Sequence, residues 1–132
     1  MLIAGLRSRH GAANAVLGLV ARQVLIPLAT VALFLEYEDV MRRPAQLEAM
    51  HLTEQGAERV LAALASAMEP VEVFFTWRPQ LDDPGDELVL EAAVNGRAEA
   101  IITHSLRHFA AAAPRFGIAA LHAADALRRI TP

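Results

Sequence analysis

Carboxylate side chains crowd one short stretch of the chain, Asp82-Asp83-Pro84-Gly85-Asp86-Glu87. Residues 88–94 are mostly apolar, so this acidic turn is predicted to open a buried helix. Asp83 directly before Pro84 is typical of a helix cap, whereas Asp86 is not explained in that way. Carboxylates that converge repel one another unless a cation neutralises them, and oxygen ligands suit Mg²⁺ or Mn²⁺. The turn therefore predicts an acidic metal site with Asp86 as a ligand.

A further carboxylate, Glu36, lies in the segment Leu35-Glu36-Tyr37-Glu38-Asp39-Val40. Two interpretations stay open for it. Glu36 can belong to the solvated face of an amphipathic helix, together with its acidic neighbours. Alternatively, Glu36 projects towards the acidic turn, where a bound cation would activate water and clamp a phosphodiester during in-line displacement.

Polar residues follow a short apolar run at 100–102 that reads as a buried strand. Thr103, Ser105 and His108 are therefore expected at the edge of the same site. His104 and His108 are four residues apart, but no helical glutamate of a metalloprotease motif accompanies them, so a zinc site is not predicted.

Length and composition restrict the class of protein. The 132 residues suit a single domain over 1–132, and the absence of cysteine excludes disulfides and thiolate chemistry. A net charge of −3 argues against a broadly basic nucleic-acid surface. The longest apolar stretch, 24–35, is short and contains Pro27, so no membrane span is expected. The N-terminus lacks the pattern of a signal peptide, which predicts a cytoplasmic protein.

The periodicity of the apolar residues predicts alternating helices and short strands. Residues 2–6 are apolar and lead into a loop at 7–11, and Pro44 is expected to end the second helix. Trp77-Arg78-Pro79 is expected in a loop, and Gly96 in the left-handed position at a helix end. The predicted helices are 12–22, 30–43, a segment from the Thr53 cap to Pro70, 83–96, one through 109–112, and 123–130; the predicted strands are 24–28, 71–75, 98–103 and 118–121. Strands separated by helices predict an α/β fold of three layers, α/β/α, with a short parallel sheet and a site at the carboxyl ends of the strands.

From residue 2 to about residue 130 the chain resembles PIN-domain proteins, specifically the toxin components of bacterial toxin–antitoxin pairs. The resemblance depends on the order and spacing of several segments together. These are Ala4-Gly5-Leu6-Arg7-Ser8-Arg9-His10-Gly11-Ala12, Leu35-Glu36-Tyr37-Glu38-Asp39-Val40 with Arg43-Pro44, Asp83-Pro84-Gly85-Asp86-Glu87 with Leu90 and Ala93, and Ala100-Ile101-Ile102-Thr103 with His108-Phe109.

The resemblance implies a ribonuclease that depends on Mg²⁺ or Mn²⁺ and hydrolyses RNA phosphodiester bonds. Glu36 matches the family's helix glutamate and Asp86 its helix-opening aspartate, so both are implied as catalytic and metal-binding residues. Asp83 matches an outer member of the same turn. Ser105 stands where relatives carry aspartate or asparagine. A cognate antitoxin and a homodimer are the implied protein partners.

The same resemblance implies that this chain begins after the family's first strand, whose closing Asp-Thr-Asn supplies a metal ligand just before Leu2-Ile3-Ala4-Gly5. We therefore expect a PIN-like fold that is truncated at its N-terminus or has a start codon assigned too late. Two alternatives to the ribonuclease stay open. One is a catalytically inactive PIN-like scaffold that binds an antitoxin or RNA, which Ser105 and the missing strand favour. The other is an unrelated α/β ligand-binding or regulatory domain in which the acidic turn only caps a helix.

Overall fold

The computed structural model describes residues 2–8, 10–76 and 80–130, so the loop predicted around Trp77-Arg78-Pro79 lies outside the described residues. The helices are α1 (Leu2–Arg7), α2 (Ala12–Ala21), α3 (Val31–Met41), α4 (Pro44–Met50), α5 (Glu54–Ala67), α6 (Pro84–Gly96), α7 (Leu106–Phe109) and α8 (Ala123–Ile130), with a 3-10 turn at Ala113–Phe116. The strands are β1 (Leu28–Ala29), β2 (Glu69–Pro70), β3 (Ala100–Ile102) and β4 (Ala119–Leu121).

The strands pair in parallel, as the alternation of helices and strands predicts. β1 pairs with β2 in the register Leu28 to Glu69, and β3 pairs with β4 in the register Ile101 to Ala120. Within the described residues these pairs form two separate two-stranded sheets. Helices separate the strands along the chain, because parallel neighbours need a crossover connection. The α/β class with short parallel sheets is thus confirmed.

Helix α6 connects the two halves of the fold, since it packs against β1 and against β3. On one side Leu90 and Ala93 join a buried cluster that includes Ile101 and Phe109. On another side Ala92 packs in a cluster with Ala29 and Leu33. The prediction that the acidic turn opens a buried helix is therefore confirmed, and this burial fixes the position of the helix's first turn.

The C-terminal end of α6 corrects one prediction. The left-handed residue is Arg97, with a φ of 54°, and not Gly96. Gly96 is instead required by close packing, because a Cβ at this position would lie 2.9 Å from side-chain carbons of both Leu28 and Val71. The absence of a side chain thus lets the helix end approach β1 and the chain that follows β2.

Two predicted strands lie at other residues. The prediction of 24–28 is wrong for most of its length, since β1 is Leu28–Ala29. The strand predicted at 71–75 is replaced by β2 at Glu69–Pro70. Pairing extends only as far as Val71, whose N–H donates to the carbonyl oxygen of Ala29 at 2.9 Å. Beyond Val71, the backbone N–H groups of Phe74 and Phe75 donate to the side chain of Asn95, so this apolar run does not join the sheet.

Differences among the helices have local causes. Pro44 does not follow α3 as a simple stop, because it is the first residue of α4, a position that needs no backbone N–H. Thr53 caps α5 as predicted and Thr30 caps α3, each accepting a backbone hydrogen bond at 3.0 Å. The apolar residues near the start form helix α1, which was not predicted, and α7 ends at Phe109, earlier than predicted.

Across the residues that the structure describes, helices long and apolar enough to cross a membrane are absent.

Candidate active site

Asp86 is the third residue of α6, and its side chain faces the segment that follows β3. Its Oδ2 atom lies 2.8 Å from Nδ1 of His108, and the two side chains are 23% and 40% exposed. An ionised carboxylate can only accept a hydrogen bond, so the imidazole Nδ1–H is the donor. The structure thus places His108, which the sequence assigned to the site edge, in direct contact with Asp86.

The surroundings of Asp86 act on its ionisation in opposite directions. Burial raises the pKa of Asp86 above its ordinary value, and the neighbouring charge of Asp83 raises the pKa further. The charge of His108 and its hydrogen bond lower the pKa of Asp86, but the net change is upward. Asp86 is therefore a carboxylate on which a nearby positive charge has a stabilising effect.

Asp83 performs the capping role that the sequence predicts. Its Oδ1 atom accepts hydrogen bonds from the backbone N–H of Gly85 at 2.7 Å and of Asp86 at 3.1 Å. These bonds satisfy two of the N–H groups that have no partner within the helix. One oxygen of Asp83 is consequently engaged by the protein itself, and its outer role as a metal ligand stays a prediction.

Glu36 lies beside the same turn, on the neighbouring helix α3. A Cβ built on Gly85 would be 3.8 Å from Oε1 of Glu36 and 3.0 Å from Oδ1 of Asp83. Helices α3 and α6 pack against each other, which brings the half-buried Glu36 to this position. The first turn of α6 therefore has the Glu36 carboxylate close to it, as the second interpretation of Glu36 requires.

Thr103 and Ser105 form the connection from β3 to α7. Thr103 Oγ1 accepts a hydrogen bond from the backbone N–H of Ser105 at 3.0 Å. The carbonyl oxygen of Ser105 in turn accepts from the backbone N–H of His108 at 2.9 Å. These two polar residues, both expected at the site edge, shape the turn that carries His108 to Asp86.

The sequence interpretation did not assign a role to Glu87. Glu87 is only 7% exposed, and its side chain accepts hydrogen bonds from the backbone N–H groups of Gln80 and Leu81. The carboxylate thereby ties the chain entering the acidic turn to α6. In the sequence, Glu87 is recognisable only as a glutamate in the first turn of a mostly apolar helix. That pattern does not show whether its carboxylate binds backbone groups or a ligand.

Asn95 has a comparable role at the other end of α6. Its Oδ1 atom accepts from the backbone N–H groups of Phe74 and Phe75, each at 2.9 Å, and its Nδ2 donates to the carbonyl oxygen of Phe75. The chain up to residue 76 is thus held by Asn95, as the chain from residue 80 onwards is held by Glu87. α6 supports both ends of the segment that leads to the site.

The carboxylates can be compared with the needs of a divalent cation. Among the described residues, no three His, Asp or Glu side chains are grouped so as to hold a metal ion. The donors nevertheless fit Mg²⁺ or Mn²⁺ in kind, because Mg²⁺ is commonly held by one or two carboxylates together with water and substrate phosphate. Asp86, in the first turn of α6, and Glu36, whose Oε1 lies near Gly85 of that turn, are the residues that would hold it.

Comparison with known proteins identifies a family for this chain. The family model of the PIN domain matches residues 1–107, most of the chain. No curated protein and no solved structure matches the chain. PIN domains are commonly nucleases and generally use divalent metals. The matched range contains Glu36, Asp83, Asp86, Thr103 and Ser105, and ends one residue before His108.

Proposed function

The chain belongs to the PIN-domain family, and on that premise we propose that it is a divalent-metal-dependent endoribonuclease, the toxin of a toxin–antitoxin pair. The match removes the alternative of an unrelated α/β domain. It leaves the choice between a nuclease and an inactive PIN-like scaffold to the residues of the site.

One observation carries the proposal: the first turn of α6, which contains Asp86, lies close to residues of two other helices. Glu36 of α3 lies beside Gly85, and His108 of α7 contacts Asp86 at 2.8 Å. Three segments far apart in the sequence therefore meet at one partly exposed turn. A carboxylate with a raised pKa and a specific partner, as Asp86 has, is typical of functional sites at such a position.

The proposed chemistry is hydrolysis of an RNA phosphodiester. When bound, Mg²⁺ or Mn²⁺ would supply a Lewis acid and lower the pKa of a water molecule. Asp86 and Glu36 would hold the ion, and Asp83 fixes the backbone from which Asp86 projects. The N-terminus of α6 adds the partial positive charge of its backbone N–H groups, which favours anionic groups nearby.

The inactive scaffold is the second candidate because Ser105 offers a neutral hydroxyl where relatives carry aspartate or asparagine. In the structure the backbone N–H of Ser105 bonds to Thr103 within the turn. A protein of this kind would bind RNA or an antitoxin but would not cut. Cleavage and binding must therefore be measured together.

The test is incubation of the purified chain with end-labelled single-stranded RNA in Mg²⁺ or Mn²⁺, with EDTA as the metal-free comparison. We expect cleavage that stops with EDTA and is lost in Glu36→Gln. Glu99→Gln is the matched control, since Glu99 is an exposed glutamate that precedes β3, whereas the site residues Thr103 and Ser105 follow that strand. RNA binding without cleavage in either metal would reject the nuclease and support the scaffold.

The toxin role has its own test, because a nuclease need not be a toxin. Induced expression in bacteria should arrest growth, and Asp86→Asn should abolish the arrest at equal protein level. Co-expression of the protein encoded beside this gene should restore growth, as expected of an antitoxin. Normal growth with the active nuclease would contradict the toxin role. A cytoplasmic location and a homodimer remain part of this proposal.

A further inference from the structure

We propose that His108 is a positioning residue that holds the carboxylate of Asp86 in the orientation needed for metal binding. The inference rests on the proposed function in so far as it assigns Asp86 to a metal. Its structural basis is the contact of 2.8 Å between Nδ1 of His108 and Oδ2 of Asp86. Within the described part of the chain, this is the ion pair that links the side chain of Asp86 to another element of the fold.

The backbone that carries His108 is itself fixed. Its neighbour Phe109 is 2% exposed and packs in the buried cluster with Leu90 and Ala93 of α6. The backbone N–H of His108 donates to the carbonyl oxygen of Ser105 at 2.9 Å. Because α7 is anchored on the helix that carries Asp86, little additional freedom is lost when the imidazole meets the carboxylate.

The contact with His108 leaves the two carboxylate oxygens of Asp86 in different environments. Oδ2 of Asp86 accepts from His108, while no hydrogen bond or ion pair engages Oδ1 within the described part of the chain. Hydrogen bonds of this kind orient metal-binding carboxylates, and their loss typically lowers metal affinity by about 10- to 100-fold. His108 would thus act on the metal through Asp86 and not as a ligand of its own.

The first experiment measures Mn²⁺ affinity by isothermal titration for the unsubstituted chain, His108→Leu and His108→Asn. Leucine removes the donor, whereas the asparagine amide can donate from about the place of Nδ1. We expect His108→Leu to bind Mn²⁺ about 10- to 100-fold more weakly and His108→Asn to stay close to the unsubstituted chain. Control His104→Leu, at an exposed histidine of the same connection, should be unchanged. Equal affinity in His108→Leu, or an equal loss in both His108 variants, would overturn the proposal.

The second experiment needs neither metal nor activity. Long-range ¹H–¹⁵N spectra report which imidazole nitrogen carries the proton, and free neutral histidine favours Nε2–H. We expect neutral His108 to carry its proton on Nδ1 in the unsubstituted chain and on Nε2 in Asp86→Leu. An Nε2–H tautomer in the unsubstituted chain would overturn the positioning role. If the Nδ1–H tautomer is found but Mn²⁺ does not bind, the contact with Asp86 stands and it is the proposed metal-dependent function that fails.

Discussion

Asp83 stabilises the backbone of Asp86 and at the same time opposes the ionisation of its side chain. Oδ1 of Asp83 accepts the backbone N–H of Asp86 at 3.1 Å, while the charge of Asp83 adds to burial in raising the pKa of Asp86. The same side chain that caps α6 therefore disfavours the ionised form of Asp86. Raised carboxylate pKa values of this kind are common at functional sites.

Replacing Asp83 should separate the capping role from the charge. Asp83→Ala removes the acceptor for two N–H groups and should lower the free energy of unfolding by about 1 kcal/mol. Asp83→Asn keeps a side-chain oxygen and should retain most of that stability. Urea unfolding followed by circular dichroism measures both variants. An equal loss in Asp83→Asn and Asp83→Ala would show that the cap hydrogen bonds are not what the side chain contributes.

The raised pKa of Asp86 makes a prediction about stability and pH. A carboxyl group whose pKa is higher in the folded state than in the unfolded state contributes stability below its unfolded pKa, and this contribution is lost as the pH rises through the folded pKa. Asp86→Asn removes the ionisation and leaves an oxygen that can accept from His108. As the pH rises from about 3 to about 7, the unsubstituted chain should lose this contribution and Asp86→Asn should not. The free energy of unfolding of the variant should therefore increase relative to that of the unsubstituted chain over this range.

Urea midpoints of the two proteins at both pH values test this relation. The difference in stability, variant minus unsubstituted chain, should be larger at the higher pH. The isosteric variant Asp125→Asn in the first turn of α8 provides a comparison with an aspartate whose partner is an arginine, since Asp125 pairs with Arg128 at 2.7 Å. A difference that shrinks as the pH rises would contradict the upward shift of the Asp86 pKa.

Glu87 is expected to contribute to the stability of the fold, because its carboxylate binds backbone groups of the protein itself. Glu87→Ala leaves the N–H groups of Gln80 and Leu81 without their acceptor, which should cost about 1–3 kcal/mol in the free energy of unfolding. Glu87→Gln retains an acceptor oxygen and should cost less. Amide hydrogen exchange locates the effect, because Gln80 and Leu81 should exchange faster in Glu87→Ala. Unchanged exchange at these two amides would show that the contact does not order the loop.

The sequence was sufficient where a local pattern determines the structure. Asp83 before Pro84 predicted the start of α6, and the apolar run around Ile101 predicted β3. The strand predicted at 71–75 was wrong because a partner distant in sequence decides its fate: Asn95 binds the backbone of Phe74 and Phe75. Apolar periodicity carries no information about a side chain that competes for those backbone groups.

In the candidate site, too, local sequence predicts some features, whereas others depend on residues distant in the sequence. Asp86 and Glu36 are predicted as site residues from residue type and position, and the structure has Asp86 in the first turn of α6 and Glu36 near Gly85 of the same turn. The pairing of Asp86 with His108, 22 residues later, depends on how α7 packs against α6 through Phe109. No spacing rule connects two residues on different helices. Glu87 was missed for a related reason, since its partners are backbone groups of a loop.

The most direct test of the account is the rate at which the chain cleaves single-stranded RNA in Mn²⁺, compared between the unsubstituted protein and Asp86→Asn. Asparagine preserves size and the contact with His108 but removes the charge that would hold the ion. We predict cleavage by the unsubstituted chain and a loss of at least about 100-fold in Asp86→Asn, since loss of a ligand should exceed loss of its orienting partner. Equal cleavage by the folded variant, or no cleavage by the unsubstituted chain, would contradict it.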